Sequence, residues 1–322
     1  TSSDQREKQI DQIIKFAEAW LDIYDVQGES GMEYSMLKPS DFPLYLKNEM
    51  IFDKICIPTQ YSVKFILKSL DYLIKPWFDE YSKKVYSYAE YRKVAEYILN
   101  INFLGGWLDS IELKRKTKVA QYKIDNILKD IALPLRQVNC EFSSLDKAVN
   151  LYTRPLIIFP IKKYFFIDQH FTGIGFYLAA YDMIKKHYDI FDRIQGPYVE
   201  KMIIDEMEKK DYHCIYGEYP AKGGLSQDQC DLVLQGKRIS FIEIKKKSST
   251  DEFNLIDDVA MLNSLAFGMV NGQKQGFTHE RYMIKNHGIE LTNNKEKCVL
   301  NYNQNQLPSF KISVCFPEYS FL

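Results

Sequence analysis

Residues 239–247, ISFIEIKKK, limit the fold more than any other stretch, because they are apolar at successive positions and then turn to charge at Glu243 and Lys245. Neighbouring side chains of a strand point to opposite faces, so a run that is apolar on both faces predicts a strand covered on both sides. Such a strand belongs inside a layered α/β arrangement. Charge at its end needs a reason, since buried charge is costly unless paired or bound to a cation. With a period of two, Glu243 and Lys245 share one face while Ile242 and Ile244 pack on the other.

Twelve residues before Glu243, the run QCDLVL sets Asp231 among apolar neighbours. The turn Gly236-Lys237-Arg238 between the two runs predicts an antiparallel pair in which Asp231 and Glu243 converge. Two carboxylates supply the hard oxygen ligands that Mg²⁺ prefers, and Lys245 beside them can orient or activate a hydrolytic water next to a phosphate. A third carboxylate, Glu200, precedes Ile203 and Ile204 by one helical turn in YVEKMIIDEMEKK and so falls on the apolar stripe. Glu206 and Glu208 lie off that stripe and read as solvent residues. Lys237, Arg238, Lys246 and Lys247 are expected around the site, with Lys247 on the face of Lys245 as a substrate contact and Lys246 pointing away.

The rest of the chain reads as two domains. Residues 1–150 are mainly helical, with aromatic and aliphatic residues at helical spacing in IDQIIKFAEAWLDIY, YSVKFILKSLDYLIKPWFDEY and YSYAEYRKVAEYILNINFLGGWL. Aromatics at that spacing are core material, and no motif in this half carries recognisable chemistry. The basic run 114–118 with Lys123 could meet phosphates, but a solvated helix face is the favoured reading. Near residue 150 the pattern changes to short β-rich runs, RPLIIFP and KKYFFID. These precede a helix over 173–188 and a second one opened by Gly196-Pro197. Three strands follow, then a helix from about residue 251 to 268 or beyond, then a last strand, FKISVCF.

Composition narrows the function. Forty-two Lys and Arg against 43 Asp and Glu give a formal net charge of −1, so a polyanion must be held by a local patch rather than by overall charge. No uncharged stretch reaches the about 20 apolar residues of a membrane helix. The opening residues contain no apolar segment of a secretory signal, so a cytoplasmic location is expected. Six cysteines show neither CxxC nor zinc-finger spacing and read as small buried hydrophobes. The five histidines form no HxH or HExxH pattern and read as surface or satisfied core residues. GxxxxGK[ST], GxSxG and GxGxxG are all missing, which argues against an ATPase, an α/β-hydrolase or a dinucleotide enzyme on this chain.

A glutamate in a helix, then an aspartate, then Glu-x-Lys at the end of the next strand resembles the signature of the PD-(D/E)XK, or restriction-endonuclease-like, nuclease superfamily. The resemblance covers about residues 195–316. Cys230 stands where the family name has proline, and Gln275, in GQKQGFTHE after the helix, corresponds to a glutamine that some members place near the site. The resemblance implies an αβββαβ core in residues 151–322, behind a helical domain of unknown role. It implies that Asp231 and Glu243 bind Mg²⁺ or Mn²⁺, that Lys245 assists the attacking water, and that Glu200 supports the metal shell. The expected activity is phosphodiester hydrolysis of nucleic acid, with DNA favoured and RNA open. Prokaryotic restriction or antiviral defence is the implied setting, and a homodimer or partner subunit is plausible for double-strand cleavage. The competing expectation is an inactive nucleic-acid-binding or assembly module that keeps the nuclease fold.

Overall fold

The structure is a computed structural model that describes residues 3–24, 38–41, 44–45, 61–101, 106–140, 153–220, 227–246, 259, 263, 266–293, 296–302 and 308–316. After helix α1 (Ser3–Tyr24), a stretch of aliphatic and aromatic residues folds as α2 (Val63–Ser69) and α3 (Lys75–Tyr81), joined through a π-helical turn at Leu70–Ile74. Ser62 caps α2 by accepting the amide of Phe65, and Pro76 sits in the first turn of α3, where a missing N–H costs nothing. Helix α4 (Tyr88–Leu99) opens with a capping box between Ser87 and Glu90, and α5 (Ser110–Thr117) and α6 (Gln121–Ile131) follow.

Two short strands interrupt this helical stretch, β1 (Gly106–Leu108) and β2 (Ala132–Pro134). They flank the hairpin of β3 (Leu156–Phe159) and β4 (Lys163–Phe166) in a sheet of order β1-β4-β3-β2, in which only β2 and β3 run parallel. Three residues are too few to show a period of two, so neither β1 nor β2 is visible in the sequence pattern. Strands from both sides of residue 150 therefore share one sheet.

Helices α7 (Gly175–Lys185), α8 (Phe191–Ile194) and α9 (Gly196–Glu208) lead into the second sheet. Its strands are β5 (Cys214–Pro220), β6 (Gln227–Gln235), β7 (Ile239–Lys245), β8 (Gly288–Asn293), β9 (Glu296–Asn301) and β10 (Phe310–Cys315), with α10 (Asn271–Lys285) between β7 and β8. The order is β10-β7-β6-β5-β8-β9, antiparallel except for the parallel pair β10 and β7. The apolar run of β7 is thus an interior strand with a partner on each side.

Each face of this sheet is covered. On one, Leu232, Ile242 and Ile244 join Val199, Met202 and Ile204 of α9 in a core that continues through Ile66, Leu70, Phe78, Tyr91 and Phe176. On the other, Val233 and Phe241 pack with Ile289, Leu291, Leu300 and Met283 of α10. Polar ties reinforce the first layer, since Tyr72 donates to Asp205 at 2.7 Å and Gln195 donates to the carbonyl of Leu73 at 3.0 Å. Among the described residues, no helix is long and apolar enough to cross a membrane.

Candidate active site

The ladder between β6 and β7 pairs Leu232 with Ile242, and one further step of that register sets Asp231 across from Glu243. The Asp231 carboxylate itself caps the end of the pair, as its Oδ2 accepts the amide of Ile244 at 2.8 Å. Lys245 Nζ stands between the two acids, 3.2 Å from Glu243 Oε2 and 3.5 Å from Asp231 Oδ2. An ammonium therefore already bridges the carboxylates at the end of β7.

Beside this group opens a cleft of about 390 Å³. Asp231, Ile244 and Lys245 form one wall, Glu200 of α9 adds to it, and Asn271, Lys274, Gln275 and Thr278 of α10 face them. Glu200 accepts from Gln229 Nε2 at 3.5 Å. Glu243 does not line the cleft. It is fully buried behind Lys245, with His279 Nε2 donating to its Oε1 at 2.7 Å.

The charges interact strongly. Burial, followed by the charge of Asp231, pushes the Glu200 carboxyl up to about 7. Burial, followed by Glu243, pushes Asp231 up to about 6, against the opposing pull of the Ile244 amide and Lys245. Burial disfavours the charge on Lys245, but Asp231 and Glu243 outweigh it and hold the lysine above its ordinary value. Asp231 and Glu243 share the Lys245 ammonium and Glu200 lies at the same cleft, so the raised carboxyls of Asp231 and Glu200 mark a place where a cation would compete with protons for the same oxygens. Gln275 Oε1 is buried and has no hydrogen-bond partner among the described residues, which leaves a further hard oxygen unsatisfied at the cleft wall. The donor set of carboxylate and amide oxygens fits Mg²⁺ or Mn²⁺. A softer metal fits poorly. Cys230, Glu243 and His279 do hold ligand atoms within 4.8 Å of one another, but burial raises the Cys230 thiol well above its usual range and keeps it protonated.

Glu200, Asp231, Lys245 and Gln275 thus meet at one cleft, with Glu243 one layer behind. Lys247 lies outside the described residues. Three expectations need correction. Gln275 lies within α10 rather than after a helix, because the glycines of GQKQGFTHE do not break the helix but let it approach the sheet. Lys237 and Arg238 sit at the β6–β7 turn, the opposite end of the hairpin from the acids, and Arg238 stacks over Phe310. Glu206 is not a free solvent residue, because it pairs with Lys68 and, at 3.0 Å, with Lys209. His279 is indeed a satisfied core histidine, yet it holds a site carboxylate.

Lys246 turns away from the cleft to Asp192, at 2.5 Å. Lys114, Arg115 and Lys116 are exposed on α5, while Lys123 pairs with Glu90 at 2.7 Å. His279 carries no metal-motif spacing, but Gly272, Gly276, His279 and Met283 recur at helical intervals and form the buried stripe of α10, which was its signal in the sequence. Comparison of the chain with protein-family models, with curated proteins and with solved structures found no match.

Proposed function

We propose that the chain hydrolyses phosphodiester bonds of nucleic acid, with DNA as the expected substrate, at the cleft between β7 and α10 and with Mg²⁺ or Mn²⁺ as cofactor. The observation that carries the reading is the placement of Lys245 between Asp231 and Glu243 at the cleft, with Glu200 beside them. The order α9, β5, β6, β7, α10, β10 supports it as well, as it follows the αβββαβ core of PD-(D/E)XK nucleases with the β8–β9 hairpin added before the last strand.

Asp231, Glu243 and Glu200 would hold the ion, which supplies Lewis acidity toward a phosphate and acidifies a water. Lys245, held above its ordinary pKa, is a cation at neutral pH. It can donate to a phosphate oxygen and offset the charge that builds there, and it is not the group that takes a proton from water. Lys274 and Gln275 on the facing helix can contact the substrate backbone. Restriction or antiviral defence is the setting the resemblance implies, and a homodimer or a partner subunit would supply a second site for a cut of both strands.

One observation favours the second reading, a binding or assembly module without catalysis: both oxygens of the buried Glu243 are already engaged, by His279 and by Lys245. Cleavage of linear, circular and single-stranded DNA and of RNA, with Mg²⁺, Mn²⁺ or EDTA, decides between them. Metal-dependent cutting that is lost in Lys245→Ala is the expected result. Binding of nucleic acid by both proteins, with no cutting of any substrate, would establish the module.

A further inference from the structure

Glu243 is a carboxylate with no exposure, and a charge so placed must be matched by donors that the fold supplies. His279, itself only 2% exposed, meets that need, since Nε2 lies 2.7 Å from Glu243 Oε1. Behind it, the Tyr219 hydroxyl lies 2.6 Å from Nδ1, and Tyr219 is buried as well. The partners fix the proton positions. A carboxylate only accepts, so Nε2 carries hydrogen, and in the neutral imidazole Nδ1 accepts the proton of the Tyr219 phenol. The ring is also fixed by packing, with Phe241 5.9 Å away and tilted by 42°.

The fold builds this contact deliberately close. Gly272 and Gly276 stand on the same stripe of α10 as His279, and a Cβ at Gly272 would come within 2.5 Å of Ser313 Oγ on β10. Only a helix without side chains at these positions can lie near enough to the sheet for an imidazole to reach β7. The contact occupies one oxygen of Glu243 and leaves the other, Oε2, to Lys245, whose ammonium lies 3.2 Å away and which a divalent cation would replace there.

We infer that His279, held by Tyr219, is a positioning residue that locks Glu243 so that Oε2 is presented to a divalent cation. The inference rests on the metal-dependent reading of the cleft. A donor that fixes the orientation of a metal-binding side chain is commonly worth about 10- to 100-fold in metal affinity.

The test is Mn²⁺ binding to the full chain, measured by electron paramagnetic resonance of free Mn²⁺, for wild type, His279→Ala, His279→Gln and Tyr219→Phe. Circular dichroism confirms folding, and cleavage is assayed in parallel. Gln places an amide nitrogen near the position of Nε2, so His279→Gln restores the donor while His279→Ala removes it. Expected are a loss of about 10- to 100-fold in affinity for His279→Ala, recovery of most of it in His279→Gln, and a smaller loss in Tyr219→Phe. Wild-type affinity in a folded His279→Ala would overturn the inference, as would a folded His279→Gln no better than alanine. A thiolate-to-metal charge-transfer band on adding Co²⁺ would overturn it too, because His279 would then be a ligand together with Cys230. If the wild type binds Mn²⁺ with the expected variant pattern but cuts no substrate, the positioning role stands and the hydrolytic reading falls. If the wild type binds no Mn²⁺, both fall.

Discussion

Asp231 and Glu200 hold their protons to higher pH than ordinary carboxyls, to about 6 and about 7, and this has a sign that can be measured. Their folded-state pKa values lie above the unfolded ones, so the folded state binds more protons in the interval between, and stability falls as pH rises. In EDTA the melting temperature is therefore expected to drop from about pH 4 to about pH 7, and Asp231→Asn, which can still accept the Ile244 amide, should flatten that slope. Mg²⁺ reverses the trend, since it competes with protons for the same oxygens. Its stabilisation should be small at pH 5 and grow toward pH 8, and a thermal melt with and without the ion reads the difference. A shift in EDTA that Asp231→Asn leaves unchanged would place the titration elsewhere.

At the scale of elements, α10 owes its position to two small residues. A methyl group added at Gly272 or Gly276 meets Ser313 or Lys311. Gly272→Ala is expected to destabilise the chain by about 1–3 kcal/mol, as overpacking of a close contact does, and to weaken Mn²⁺ binding by lifting His279 from Glu243. Gly276→Ala should cost less, because its Cβ would approach Lys311 to 3.0 Å, whereas one at Gly272 would approach Ser313 to 2.5 Å. Urea unfolding measures both. These glycines also show why the sequence was only partly legible. Strands β6 and β7 were visible because Asp231 and Glu243 interrupt apolar runs, and the turn between them predicted their pairing correctly. The sequence pattern places GQKQGFTHE after a helix rather than inside one, and its glycines do not settle the matter, since glycine signals both a chain break and a close approach of backbones, and only the partner surface separates the two. The β8–β9 hairpin went unread because it lies at the sheet margin, where GIELTNNKEKCVL is too polar to stand out as strand.

For the whole molecule, a single apolar core links the helices before residue 150 to the sheet that carries the acids, running from Ile66 to Phe316. Ile66→Ala and Ile242→Ala, on opposite sides of that residue, should each cost about 2–5 kcal/mol. Both should lower one common unfolding transition, detected alike by tryptophan fluorescence and by circular dichroism; two separate transitions would show that the halves fold independently. The helical half was legible as core-forming, but its union with the second sheet was not, because contacts such as Gln195 with Leu73 join residues far apart in sequence. The parallel pairing of β10 with β7 sets an order of events during synthesis. Strand β7 leaves the ribosome well before its neighbour does, and until residues 310–315 follow, Glu243 and Lys245 sit on an open sheet margin without Ser313 and Lys311 to seat α10. The nascent protein thus carries Glu200, Asp231, Glu243 and Lys245 before the strand that closes the sheet beside them has been made.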